Sequence, residues 1–293
     1  MTPATPARGL IALLRLPYWL MTGGLSVLTA FAITKDPLNI TVQTVLLIFF
    51  SMAFITSAGF AINDYFDRES DAVIKPNRPI PSGALSLKQV VAISGILFAG
   101  GLILASLINW TSFTIIAVDS LLLLVYSFMV KRKSGFVANV LVGILTGTAF
   151  MYGQAAITIP ATVNLISLSL YPIAFGTIGG NVLRDILSVK GDSKTGYPTL
   201  PQKIGGANSA KVAALFFMIT GVFAPLPYFI GNFTVYYLPL ILLWSVLLIY
   251  ASIRLVTSPS TLENVRKYER IVTMSMILLP LALIVEAVVG GLI

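Results

Sequence analysis

Asn63, Asp67 and Asp71 recur every four residues in the stretch "NDYFDRESD" (63–71), which also carries Asp64 and Glu69. On a helix this spacing puts the three side chains on one face, with Asp64 about a hundred degrees away. Like charges packed together repel unless cations neutralise them. Mg²⁺ is bound through one or two carboxylates together with substrate phosphates, so the cluster reads as half of a Mg²⁺–diphosphate clamp. A second set follows in "NVLRDILSVKGDSKTGYPTLPQKIG": Asn181, Asp185, Ser188 and Asp192 are again on one helical face. Two facing oxygen clusters can hold two or more Mg²⁺ ions, with Lys and Arg taking up the remaining phosphate charge. Solvated loop acids paired with nearby basic residues are the ordinary alternative for one such cluster. Two at equivalent places, both beginning Asn-x-x-x-Asp, argue against it. The chain has no His and no Cys, which excludes His-ligated metals, His acid/base catalysis and thiol chemistry.

The clusters need elements to hold them. Of the 293 residues 57% are hydrophobic and only 10% charged, against roughly 25% charged in a soluble domain, so the class is an all-α polytopic membrane protein. Apolar runs of membrane length lie at about 10–33, 41–62, 87–108, 111–130, 136–157, 162–183, 209–230, 234–256 and 271–292. With the N-terminus cytoplasmic, the N-terminal segment and segments 63–88, 131–135, 184–211 and 254–270 hold every one of the 19 Lys and Arg except Lys35 and Arg15, the latter near the cytoplasmic end of the first run. That is the positive-inside bias. It predicts a multi-pass protein of the cell membrane with both acid clusters cytoplasmic and the C-terminus outside. Basic residues confined to short juxtamembrane loops fit anionic lipid and anionic substrates, not nucleic acid. The first span also fits a signal peptide ending at "AFA", but Arg15 interrupts its apolar stretch. Arg15 either snorkels or faces the site.

The acid clusters occupy spans 2 and 6, four helices apart, each followed by a Pro/Gly-rich basic loop, "KPNRPIPSG" and "KTGYPTLPQKIG". The expectation is one domain over 1–293 built from two four-helix halves, about 10–130 and 136–256, plus the span at 271–292.

At these residues the chain resembles the UbiA superfamily of intramembrane prenyltransferases. "NDYFDRESD" matches the family's first motif, N-D-x-x-D-x-x-x-D, at every defined position, and "KPNRPIPSG" matches the loop that follows it. "YSFMVKRKSGFVAN" (126–139) resembles the stretch after span 4, and nine helices agree with the family fold, so the resemblance covers essentially the whole chain. Its second motif looks most like the branch with "GD…G…TLP…G". That branch includes the archaeal enzymes of ether-lipid synthesis and the chlorophyll and homogentisate prenyltransferases. One position departs: the first Asp of the family's second D-x-x-x-D falls on Ser188, which puts one metal ligand in doubt, with Asp185 on the same face as a substitute.

The resemblance implies Mg²⁺-dependent transfer of a prenyl group from its diphosphate to a membrane-associated acceptor. The favoured acceptor is the hydroxyl of geranylgeranylglyceryl phosphate, and the alternative is a ring carbon of 4-hydroxybenzoate, dihydroxynaphthoate or homogentisate. A secondary transporter would place its polar residues near the bilayer midplane, whereas here they gather at the cytoplasmic rim. The expected metal ligands are Asn63, Asp67, Asp71, Asn181, Asp185 and Asp192, with Asp64 a further ligand or proton acceptor. Lys131 is the first choice for diphosphate, then Arg78 and Lys75, with Arg15 if it faces the site. Arg132 and Lys133 are either diphosphate contacts or ordinary loop charges. Arg184 and Lys190 are expected to pair with neighbouring acids. Tyr126 and Tyr152 either face a developing cation, bond a motif Asp, or belong to an interfacial belt. Asp119 and Glu286 are intramembrane acids and hence functional suspects.

Overall fold

A computed structural model describes residues 5–34, 40–158 and 165–290, with the backbone alone at 190–192, 194 and 195. Among the described residues there are nine helices long and apolar enough to cross a membrane. Span 1 is Pro6–Ile33, span 2 Val42–Phe66, span 3 Leu87–Ser106, span 4 Trp110–Lys133 and span 5 Gly135–Ile157. Span 6 is Leu165–Val189, span 7 Leu200–Phe229, span 8 Val235–Thr257 and span 9 Leu262–Val289. Spans 2, 3 and 4 pack together, as do spans 6, 7 and 8; span 5 joins the two groups through spans 1, 4 and 6, and span 9 closes the bundle against spans 1, 6 and 8. The buried apolar core is split accordingly. One cluster around Ile48, Ile55, Ile116 and Tyr152 joins spans 1 to 5, and a larger one around Phe217, Tyr237, Trp244 and Tyr268 joins spans 5 to 9 with span 1.

Close packing rests on small residues, as in membrane bundles generally. A Cβ on Gly153 would lie 2.3 Å from the Ser26 carbonyl oxygen, so span 5 touches the span 1 backbone only because that residue is glycine. In "GTIGG", a Cβ on Gly179 would meet the Phe217 ring at 2.8 Å.

The expected boundaries differ from the observed ones where polar residues continue a helix. Span 7 starts at Leu200 and not near 209, and is interrupted at Gly205, whose φ of 78° breaks the helical path. Span 9 starts at Leu262 and not near 271. Its first turns, "LENVRKYERIV", are amphipathic, with Val265, Tyr268 and Val272 buried and the Thr261 side chain capping the first turn. Hydropathy undercounts such turns because one face is charged.

The two intramembrane acids have local partners. Glu286 accepts from the Thr234 backbone N–H and hydroxyl, both at 2.8 Å, and so satisfies the start of span 8. One Asp119 oxygen bonds the Thr148 hydroxyl at 2.7 Å, joining spans 4 and 5.

Candidate active site

Three irregularities in the helices assemble the site. At the end of span 2, Asp67 takes a relaxed turn (φ −85°, ψ 0°) before a short helix, Arg68–Ile74. The i to i−4 pattern survives this turn, since Asp67 N–H bonds Asn63 C=O and Asp71 N–H bonds Asp67 C=O, both at 2.8 Å. Asn63, Asp67 and Asp71 therefore share one face as the spacing predicts, and all three are buried, as is Asp64. Burial rules out the solvated-loop reading for this cluster.

Span 1 breaks at Arg15, which has a left-handed backbone (φ 49°, ψ 52°) ahead of Pro17. That conformation costs a non-glycine residue about 1 kcal/mol. Here it aims the guanidinium into the site: Nη2 lies 2.6 Å from Asp64 Oδ1, and the group stacks 4.3 Å from the Phe60 ring centroid. Arg15 faces the site and does not snorkel. Arg15→Gly removes the strain but also this pair. A hydrogen bond to a charged group contributes about 1.5–3 kcal/mol, so we expect KM for the diphosphate substrate to rise about tenfold or more in steady-state assays. Thermal stability should fall modestly, because about 1 kcal/mol of relieved strain offsets only part of the lost pair.

The third irregularity is a π-helical turn, Tyr126–Val130, at the end of span 4. The wider turn re-registers the chain, as such turns often do at functional sites, and Lys131 comes to bond Asp67 Oδ2. Tyr126 lies within electrostatic reach of Asp67, Asp185 and Arg15. Tyr152 instead bonds Ser51 in the apolar core, away from any motif carboxylate.

Arg78 bridges the cluster, with Nη1 2.7 Å from Asp64 Oδ1 and 2.6 Å from Asp71 Oδ2. Asp64 is thus joined to Asp71 through the Arg78 guanidinium despite its different helical angle. Asp64, Arg15, Arg78 and Lys75 also line a cavity of about 480 Å³ with Asn77, bounded by Ala12, Ile74 and Pro76. Lys75 is exposed, yet desolvation of its ammonium, and next the Arg78 charge, hold it below the ordinary lysine value. Arg132 turns aside to the Phe66 carbonyl at 2.9 Å.

Two contributors escaped the sequence reading. Tyr197, from the segment before span 7, donates to Asp67 Oδ1 at 2.5 Å. Burial, with that hydrogen bond, pushes its hydroxyl above the ordinary tyrosine value, so it stays a donor. Asn139 in span 5 donates to Asp185 Oδ2 at 2.8 Å. Both lie inside the quoted motif stretches, but local spacing carries no signal for a partner on another helix.

The second set is less gathered. Span 6 continues helically to Thr195, which keeps Asn181 and Asp185 on one face. Asn181 Oδ1 accepts from Arg184 at 3.1 Å, and Arg184 also reaches Glu269 of span 9 at 3.5 Å, so Arg184 pairs with an acid as expected. Ser188 is exposed. The side chains of Asp192 and Lys190 lie outside the described residues. Among the described residues no three carboxylates converge into a metal-binding group. A hard divalent cation nevertheless fits the first cluster. All its donors are oxygens, and Asn63 Oδ1, buried beside Asp67, has no hydrogen-bond partner.

Known proteins share this chain's sequence and fold. The UbiA prenyltransferase family model matches residues 21–279. The digeranylgeranylglyceryl phosphate synthase of Natronomonas pharaonis is 37% identical over 235 residues, covering 79% of this chain and 81% of its own. A solved structure of digeranylgeranylglyceryl phosphate synthase in membranes superposes with a TM-score of 0.82 at 29% identity, over 96% of this chain and 98% of that one. A UbiA homologue from Archaeoglobus fulgidus bound to GPP and Mg²⁺ gives a TM-score of 0.67 at 20% identity, over 94% and 99%, and speaks to the fold alone. With nine apolar helices and this match along most of its length, the chain is an integral multi-pass membrane protein that belongs to the UbiA prenyltransferase family.

Proposed function

We propose that the protein transfers a geranylgeranyl group from its diphosphate to the free hydroxyl of geranylgeranylglyceryl phosphate, with Mg²⁺ as the divalent cation. The N-terminus and both motif loops are then cytoplasmic and the C-terminus outside. The observation that carries this reading is the juxtaposition of a buried oxygen cluster at Asn63, Asp67 and Asp71 with a cavity lined by Arg15, Lys75 and Arg78. A prenyl diphosphate and a phosphate monoester need two such anion-handling regions side by side. A neutral or singly charged aromatic acceptor needs less positive charge. The name of the 37% identical relative supports the same acceptor.

In this mechanism Asn63, Asp67 and Asp71 hold the cation on the first half, and Asn181, Asp185 and Asp192 supply ligands from the second. Bound there, Mg²⁺ neutralises the departing diphosphate. Without substrate, Asp64, Asp67 and Asp71 are matched by Arg15, Arg78 and Lys131. With substrate the pairs exchange, and Lys131, Arg78 and Lys75 turn to phosphate oxygens. Each regrouped contact favours the charge that builds on the leaving group, which is where fixed dipoles and charges act most strongly. The allylic C–O bond breaks, the glycerol oxygen forms the new ether bond, and its proton leaves, with Asp64 at the cavity wall as the acceptor. Tyr126 presents its ring to the developing cation. Burial of the cluster excludes the water that would quench that cation.

The test offers purified protein, Mg²⁺ and labelled geranylgeranyl diphosphate with geranylgeranylglyceryl phosphate and 4-hydroxybenzoate in parallel. The expected result is a digeranylgeranyl ether from the first acceptor, abolished by EDTA and restored by Mg²⁺. A prenylated ring from the second, with no ether product, would move the enzyme to quinone synthesis.

A further inference from the structure

Tyr197 stands out because it belongs to the second half of the chain yet bonds the first motif. Gly196, with φ of 73°, turns the chain out of the span 6 helix just before it. The Tyr197 hydroxyl then meets Asp67 Oδ1 at 2.5 Å and lies 3.2 Å from Ser70 Oγ, and its ring centroid sits 5.0 Å from Lys131 Nζ. The backbone of this segment is held independently of that hydroxyl. Gly135 N–H bonds the Pro198 carbonyl at 2.9 Å, and Thr199 is buried against span 5.

The donors around Asp67 can be counted. Oδ2 receives Lys131 and the Asn63 amide, the latter at 2.8 Å. Oδ1 receives Tyr197. An ionised carboxylate has about four lone-pair sites, so, before Lys131 turns to the diphosphate, the remaining one is on the oxygen that Tyr197 holds. A carboxylate ligand whose orientation is set by an outer hydrogen bond meets its metal without first having to be turned.

We propose that Tyr197 is a positioning residue for the divalent cation. It orients the Asp67 carboxylate so that Oδ1 is presented to the metal, and it makes that orientation depend on the loop of the opposite half being in place. The proposal rests on the reading of Asp67 as a metal ligand.

The test is Tyr197→Phe, which keeps the ring over Lys131 and removes only the hydroxyl. Two quantities are measured on detergent-purified protein: the Mg²⁺ concentration that gives half of the stabilisation against thermal unfolding in the presence of inorganic pyrophosphate, and the Mg²⁺ dependence of turnover. Loss of an outer hydrogen bond to a metal ligand costs about 10- to 100-fold in metal affinity. Both Mg²⁺ midpoints should therefore rise by about that factor, while the unfolding temperature without Mg²⁺ and the turnover at saturating Mg²⁺ stay near the parent's. Ser70→Ala removes the bonds of Ser70 Oγ to the Tyr197 hydroxyl and to the Asp67 backbone carbonyl but leaves Tyr197 on Asp67 Oδ1, and should leave both midpoints in place. Should the Phe variant not yield folded protein, Tyr197→Leu takes the same measurements. Unchanged Mg²⁺ midpoints, or a loss of turnover equal at all Mg²⁺ concentrations, would overturn the proposal. Asp67→Asn in parallel separates the two ideas. If it shifts the Mg²⁺ midpoint and Tyr197→Phe does not, only the positioning role fails. If neither shifts it, the ligand reading of Asp67 fails as well.

Discussion

Asp67→Asn is expected to lower kcat/KM for the prenyl diphosphate by roughly 10³-fold, the largest catalytic effect of any single change in the site. The substitution keeps the shape of the side chain and removes its charge. Asp67 is 4% exposed and joins Lys131, Tyr197 and Asn63 at one point. No solvent charge can replace it, so a metal held there loses its anionic ligand and the leaving diphosphate loses part of its neutralisation. Metal stabilisation of developing charge supplies several kcal/mol, and each 1.36 kcal/mol is a factor of ten in rate, so a loss of about 4 kcal/mol gives the stated factor. The unfolding temperature should fall only modestly, because Lys131 is about a quarter exposed and can turn to water. Steady-state consumption of geranylgeranyl diphosphate measures the effect. Activity within tenfold of the parent would show that Asp67 does not act on the metal.

Arg78→Met is expected to cause the largest loss of stability. Arg78 sits between Asp64 and Asp71, both buried. Asp64 retains Arg15, but Asp71 is left as a buried carboxylate without its bridge. Removing one partner of a buried ion pair costs about 3–5 kcal/mol, because the other charge stays desolvated. The Arg78 side chain is 20% exposed, so water can partly follow the lost guanidinium and the lower end, about 3 kcal/mol, is expected. The mechanism is tested by adding Asp71→Asn. Removing the stranded charge should recover much of the stability of Arg78→Met while leaving the enzyme inactive, a coupling that a double-mutant cycle reads directly. Unfolding in detergent by heat or denaturant supplies the four stabilities. An additive double mutant would mean that Arg78 stabilises the loop through its backbone and packing, not through Asp71.

The two halves of the site were not equally legible. The register of Asn63, Asp67 and Asp71 follows from the 3.6-residue period, and the backbone hydrogen bonds through Asp67 preserve it. The same period placed Asp185 on the face of Asn181 but could not say that Asn139 of span 5 would bond it. Nor could it say that Asn181 would turn toward Arg184. Arg15 was ambiguous for a related reason. Its place near a helix end allowed either a snorkelling or an inward side chain, and the choice fell to a left-handed residue before Pro17 that local propensity disfavours.

What the sequence determined by itself was the membrane class, the number of spans, the charge asymmetry and the helical face of each acid. These are local or additive properties, since apolar length, basic-residue count and i, i+4 spacing depend on near neighbours alone. The tertiary structure decided which cation serves which carboxylate. Arg15, Arg78, Lys131 and Tyr197 come from four different segments. Many basic residues lie in loops and at helix ends, and those that reach the buried acids are selected by helix packing, by the break at Arg15, by the π-helical turn before Lys131 and by the turn at Gly196. A buried carboxylate here must find its cation outside its own helix, because the same face offers only other acids and the Asn63 amide. That partner is set by the distance between spans, which is fixed only when the bundle closes.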